Sequence, residues 1–338
     1  MFVQSDAAGG NTVVAYSRAA DGSLTRRGVY ATGGYGGKLG GAVVDNLASE
    51  GSLTYDAAHR LLYAVNAGSN TVTVFSVQGD HLIRRQVISS GGTLPVSVTV
   101  HGNLVYVLNA LDGGSVQGYV SAAGLLAKVP SWRRNLGLDP DAVPQFTHTP
   151  GQIGFTPDGS KLIVTTKAGG NSFEVFQVGP LGISAKPMVT NAPGAVPFGF
   201  TFDRDGRLVV TEAGPNAVAT YTVGADATLT KVDEVATSQA GTCWVVADGS
   251  NFYASNAGSG SLTGVHGGTG GSLSTLGSTP TAAGTVDAAV SSDRRFLYVQ
   301  TGQAGGVDAF RVDADGSLTK IGSVVVPGAV GGEGVVAL

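Results

Sequence analysis

Six segments of one pattern recur along the chain at a nearly constant interval, and that interval constrains the fold more than anything else in the sequence. LLYAVNAGSNTVTVFSV (61–77) returns as LVYVLNALDGGSVQGYV (104–120), KLIVTTKAGGNSFEVFQV (161–178), RLVVTEAGPNAVATYTV (207–223), NFYASNAGSGSLTGV (251–265) and FLYVQTGQAGGVDAFRV (296–312). Taking Asn66, Asn109, Lys167, Glu212, Asn256 and Thr301 as the ends of the first strand of each copy, the spacings are 43, 58, 45, 44 and 45 residues. Strand pairs repeating at this period, each too small to bury both of its faces alone, are the mark of propeller blades. The one long spacing marks an insertion.

A seventh copy is split between the chain ends. FVQSDAAGGNTVVAYSRAADGSLTRRG (2–28) has two middle strands and an outer one but no inner strand, and GEGVVAL (332–338) supplies it. Counted through that join, Thr301 to Ser5 is 42 residues, one ordinary repeat. The expected fold is therefore all-β: a single seven-bladed β-propeller over 1–338, closed by pairing of the C-terminal strand with the N-terminal blade, which removes the open edges that invite aggregation. Each unit reads as four strands joined by turns such as ADGSLT (20–25, 314–319) and GDHL (79–82), where Asp and Gly suit tight hairpins. No helix is expected, because glycine interrupts nearly every ten-residue window.

Composition excludes several function classes. The 20 basic and 24 acidic residues are dispersed, so no basic patch is available for phosphate backbones and nucleic acid is not an expected partner. No apolar run approaches a membrane span, and no basic-then-apolar leader opens the sequence, so a membrane is not expected either. The compartment stays open: secreted or periplasmic if a leader was removed, otherwise cytoplasmic. A lone cysteine, Cys243, permits neither an intrachain disulfide nor a thiolate cage. There is no HExxH, GxSxG or phosphate-loop motif. No cofactor is expected and no metal ligands are assigned, a divalent cation being left open. The expected state is a monomer and the expected partner a small molecule.

Two stretches break the repeat, 33–50 (GGYGGKLGGAVVDNLASE) and 128–148 (KVPSWRRNLGLDPDAVPQFTH). Both join an outer strand to the next inner strand, so both fall on one face of the ring, with the strand ends named above. Loops on a rigid scaffold commonly carry function. Asn66, Asn109 and Asn256 are short polar residues that either complete a turn or touch a ligand. Lys167 and Glu212 depart from that type in adjacent copies and are expected to face the same channel, either as a structural ion pair or as an electrostatic partner and a general acid/base. Inner-strand starts ring the same mouth: Glu50, Gln152, Phe198, Trp244 and Asp287 are candidate substrate contacts, the two aromatics being packing or an apolar wall. His148 is the best-placed imidazole for proton transfer, and Arg133 could hold an anion.

The phrases LLYAVNAGSN, TPDGSKLIV, FDRDGRLVVTEAG and SSDRRFLYV resemble the lactonase family of seven-bladed propellers, which includes 6-phosphogluconolactonase-type enzymes and a carboxymuconate cycloisomerase. The resemblance spans nearly the whole chain. It implies a lactonase-like enzyme acting on a small organic molecule by acid/base ring opening or proton transfer, with Glu212 in VVTEAG matching the family's glutamate. TPGQIGF (149–155) stands where the family has a histidine-rich entry, and Phe198 stands where it has an arginine. A non-catalytic ligand- or protein-binding propeller and a biosynthetic lyase or cyclase are the alternatives.

Overall fold

The computed structural model describes residues 1–338 as a ring of seven sheets. Blade 1 runs outward from Val335–Val336 through Phe2–Gln4 and Thr12–Arg18 to Leu24–Ala31. Blades 2 to 7 have inner strands at Leu53–Asp56, Pro95–His101, Ile153–Phe155, Pro197–Phe202, Thr242–Asp248 and Thr285–Val290. Every pairing is antiparallel, and all link chain neighbours except in blade 4, where Ser172–Gly179 pairs with both Gly182–Ile183 and Met188–Asn191, and at the join, where Phe2 pairs with Val336 and Val3 with Val335. The expected closure is present.

Burial follows position in the blade. The second strand, as in Leu61–Asn66, is buried along its whole length because neighbouring blades cover both of its faces. The outer strand His81–Ser89 has most of its residues in contact with water. Tyrosines on the second strands of blades 6 and 7 staple each to the next blade around the ring: Tyr298 Oη donates to Gly22 O at 2.8 Å and Tyr253 Oη to Gly316 O at 2.9 Å. Gly22 has φ +87°, and a Cβ there would overlap the Phe296 ring, so this ADGS turn must be glycine.

The helix-free expectation fails at two places, both on the insertion-bearing face. Gln145–His148 and Lys167–Gly170 are single helical turns. The second arises because the blade 4 hairpin loop spans 167–171, whereas its blade 5 counterpart spans 213–216. The extra residue is absorbed by an i to i+4 turn. The insertions are also bounded differently from expectation: Leu125–Asn135 is the outer strand of blade 3, and the excursion proper begins after it.

Candidate active site

The two insertions meet over the ring axis. Gly40 N–H donates to Gln145 Oε1 at 2.9 Å and Phe146 N–H to Gly40 O at 3.3 Å, which ties one insertion to the other. Beneath them lies a cavity of about 180 Å³, ten of whose fourteen lining residues are hydrophobic. Val43, Val44 and Ala48 come from the first insertion and Phe146 from the second; Val196, Phe198 and Trp244 come from blades 5 and 6. The Phe198 and Trp244 rings meet edge to face at 5.0 Å, and Trp244 Nε1 donates to Ser49 O at 2.6 Å, so the aromatic wall also holds the first insertion in place.

Two charged groups enter this cavity, Lys167 and Asp45. Strand register explains how Lys167 arrives there. Thr165 pairs with Phe173 and Thr166 N–H bonds Ser172 O, so Thr166, not Lys167, is the blade 4 equivalent of Asn66, Asn256 and Glu212. Lys167 occupies the next position, where other blades have Ala67, Ala110, Ala213 and Ala257. A shift of one residue along a strand end changes the direction of the side chain. Lys167 therefore points to the mouth, while Glu212 points between blades.

The expected Lys167–Glu212 pairing is thus corrected. Glu212 is 1% exposed; Tyr221 Oη donates to its Oε1 at 2.5 Å and Lys231 Nζ to its Oε2 at 2.8 Å. Burial, then the adjacent Glu212 carboxylate, pushes the Tyr221 phenol above its ordinary range. Both Glu212 oxygens are engaged within blade 5, and the residue does not line the cavity.

Lys167 Nζ donates to Phe146 O at 2.6 Å, Ala48 O at 2.7 Å and Thr149 Oγ1 at 3.2 Å, and lies 5.3 Å from the centre of the Phe198 ring. Those acceptors suit an ammonium and come from both insertions. Burial pulls its pKa down to about 7, with the Asp45 charge opposing. Asp45 accepts from Leu47 N–H on Oδ1 at 2.7 Å and from Ser49 N–H on Oδ2 at 2.9 Å. Burial raises its pKa to about 6, held back by these backbone donors and by Lys167. The sequence reading missed Asp45. Its signal was an acid placed directly after the run of glycine and apolar residues 39–44. Cys243 also lines the cavity, but burial pushes its thiol up to about 12, so it is not a thiolate nucleophile at neutral pH.

Deeper along the axis lie more buried carboxyls. Glu50 reaches across the ring to accept from Val245 N–H at 3.3 Å, over Gly199, where no side chain would fit. Glu333 Oε1 accepts from Gly51 and Ser52 N–H, and Asp287 Oδ2 accepts from Val335 N–H. Glu333 Oε2 is buried with no hydrogen-bond partner. Burial raises all of these: Asp6 and Asp287 to about 7, Glu50 and Glu333 well above the carboxylate range, with Asp287 adding repulsion to both glutamates. No three of the chain's His, Cys, Asp or Glu side chains gather so as to hold a metal ion.

The other candidates fall away from the cavity. Asn66 Nδ2 donates to Thr71 and Thr73, and Asn256 Nδ2 to Ser261 and Thr263, each completing its own hairpin. Asn109 binds the carbonyls of Ser90 and Ser115. Gln152 Oε1 accepts from Phe200 N–H and joins blade 4 to blade 5. Arg133 is exposed on the outermost strand of blade 3, because strand pairing runs on through that position. His148 closes its helical turn, Nδ1 lying 2.9 Å from Thr147 Oγ1 and 3.0 Å from Pro144 O, and it faces the Asp112 turn of blade 3, away from Lys167.

Comparison with known proteins agrees with this architecture. The family described as "Lactonase, 7-bladed beta-propeller" matches residues 36–330. No curated protein matches the sequence. Among solved structures, the periplasmic gluconolactonase of Pseudomonas aeruginosa superposes with a TM-score of 0.77 at 20% identity, over 98% of this chain and 96% of that one. A Bacteroides fragilis protein provisionally named a 6-phosphogluconolactonase gives 0.76 at 20% identity, over 97% and 96%. Virginiamycin B lyase of Staphylococcus aureus gives 0.61 at 13% identity, over 87% and 90%. At such identities these likenesses speak to the fold alone. With a family match over most of its length and a ring of seven four-stranded units closed by its own ends, the chain belongs to the lactonase family of seven-bladed β-propellers.

Proposed function

We propose that the protein hydrolyses a lactone in the cavity beneath the two insertions, with Asp45 as general base. The observation that carries this reading is a buried carboxylate, with its pKa raised to about 6, lining an apolar cavity beside a buried ammonium. A base with a pKa near the working pH is largely ionised at neutrality yet able to hold a proton. Asp45 takes a proton from water as the water oxygen attacks the ester carbonyl carbon. The tetrahedral oxyanion then expels the ring oxygen, which receives that proton, and the product is a hydroxy acid. Lys167 has spent its N–H groups on neighbouring acceptors, so it acts through its charge, favouring the ionised Asp45 and the oxyanion against a largely apolar wall.

The test is hydrolysis of a panel of lactones by wild type and Asp45→Asn. The variant is expected to lose about 100-fold or more in kcat, the usual range for a removed acid/base. The wild-type rate is expected to rise with pH through about 6 as Asp45 ionises. A rate that Asp45→Asn leaves unchanged refutes the assignment. The spent donors of Lys167 favour a second reading, a ligand-binding propeller, which predicts saturable binding with no turnover of any lactone.

A further inference from the structure

We infer that the ligand of this cavity is an uncharged and mainly apolar ring compound, a small alkyl- or aryl-substituted lactone, and not a sugar lactone or its phosphate. The inference rests on reading the cavity as the active site. It follows from what the cavity lacks as much as from what it holds.

A phosphorylated ligand needs cationic donors directed at its oxygens. No arginine or histidine lines the cavity, and Phe198 projects into it from the start of the blade 5 inner strand. The one cation, Lys167, already donates to Phe146 O, Ala48 O and Thr149 Oγ1. Behind it stand Asp45 and Glu50, both close enough to act on the Cys243 thiol. An anion entering here would meet the Asp45 carboxyl and find no free donor. The polyol of a sugar lactone fares little better, because each hydroxyl stripped of water requires a partner. The walls offer Val44, Val196, Phe198 and Trp244 instead.

Size sharpens the class. A volume of about 180 Å³ is that of about six water molecules in the liquid. It suits one five- or six-membered ring with a short substituent, the ester polar and the remainder laid against Phe198 and Trp244.

The experiment compares kcat/KM for γ-lactones of increasing alkyl chain and for dihydrocoumarin with that for glucono-1,5-lactone and its 6-phosphate. Each added methylene is expected to raise kcat/KM about four- to tenfold until the cavity fills, after which it falls. An apolar pocket rejects a single added hydroxyl about 100-fold, so the sugar lactones are expected to trail by at least that factor. Ala257→Leu, which narrows the cavity from blade 6, is expected to penalise the longer chains before the shorter ones. Comparable or better turnover of either sugar lactone overturns the substrate class while leaving the hydrolytic reading intact.

If no lactone is hydrolysed, that reading fails and binding decides the class alone. In Trp132→Phe, Trp244 is the sole indole, and its fluorescence reports occupancy by non-hydrolysable lactams. Saturable quenching by alkyl lactams but not by gluconolactam upholds an apolar ligand. Quenching by gluconolactam alone, or by neither, overturns it.

Discussion

Lys167 and Glu212 come from adjacent blades and from nearly the same point of the repeat, yet they meet opposite fates. Lys167 is drawn to the mouth of the ring and held by hydrogen bonds to carbonyls of two loops that are distant in sequence. Glu212 is turned between blades 4 and 5 and neutralised by Tyr221 and Lys231 of its own sheet. The difference is one residue of register. Where a strand ends, direction is set by parity along the backbone, and residue type then decides what that direction costs. A charge placed among neighbours of its own blade stabilises that blade. A charge placed where four of the other blades keep alanine becomes a pin for whatever covers the mouth.

Lys167→Met breaks this comparison most severely. It removes the pin and the cation beside Asp45 while keeping an unbranched chain of similar length. Turnover is expected to fall about 100-fold or more, as when one electrostatic contributor to a transition state is lost. The pH–rate profile is expected to move upward, because Asp45 loses the charge that opposes its burial. Loss of rate without that movement would make Lys167 a purely structural residue. Glu212→Gln is the counterpart and is expected to act on stability. It loses a charge-assisted bond inside the sheet, at a cost of about 1–3 kcal/mol in denaturant unfolding, with KM and kcat per folded molecule unchanged.

The fold was legible in the sequence because it depends on period, and period survives poor local alignment. Closure was legible because only the ends together complete the seventh unit. The direction of Lys167 was not: TTKAGG aligns on VNAGSN or TEAGPN with lysine in either place, and only the extra residue in the 167–171 loop decides. Of the inner-strand starts, Phe198 and Trp244 line the cavity, whereas Gln152 turns to the blade 5 backbone and Glu50 and Asp287 lie deeper along the axis. His148 and Arg133 failed for different reasons, one turning with a helix that glycine content argued against, the other lying on a strand that ran further than the repeat suggested. Asp45 was missed because a loop has no period to set its place beside the strand ends.

The buried charges also separate by pH. Asp6, Asp45 and Asp287 have carboxyls raised to about 7, 6 and 7. Their folded forms hold protons that the unfolded chain releases near pH 4, so their stabilising contribution is complete below about pH 4 and is lost as pH rises through 6 to 7. Lys167, lowered to about 7, runs the other way: its protonation in the folded state costs stability below about 7, and that cost is relieved as pH rises toward its ordinary value. The melting temperature is therefore expected to decline from pH 5 to pH 7 and to level off or recover above it. Asp287, facing Glu50, Glu333 and Asp45 across the axis, supplies the check. Asp287→Asn should flatten the decline, at about 1.4 kcal/mol per pH unit at most for one group, whereas Glu212→Gln should leave its slope alone.

The smallest effect tests why Glu212 matters to its blade at all. Lys231 Nζ reaches two carboxylates, Glu212 at 2.8 Å and Glu234 at 2.6 Å, and the shorter contact is the less buried one, with Glu234 37% exposed and Glu212 1% exposed. Distance alone would rank Glu234 first. Solvent reverses the order: a pair open to water is screened and spends side-chain entropy to hold its geometry, so Glu234→Gln is expected to cost under about 1 kcal/mol. The coupling between Glu212→Gln and Glu234→Gln, measured as a double-mutant cycle, should be positive and small. Lys231 can lean wholly on whichever carboxylate remains, and only the double variant leaves it without a partner. A cycle with no coupling would mean that Lys231 spends its time on Glu212 alone, and that the blade's internal neutralisation is a single buried bond with no rim support.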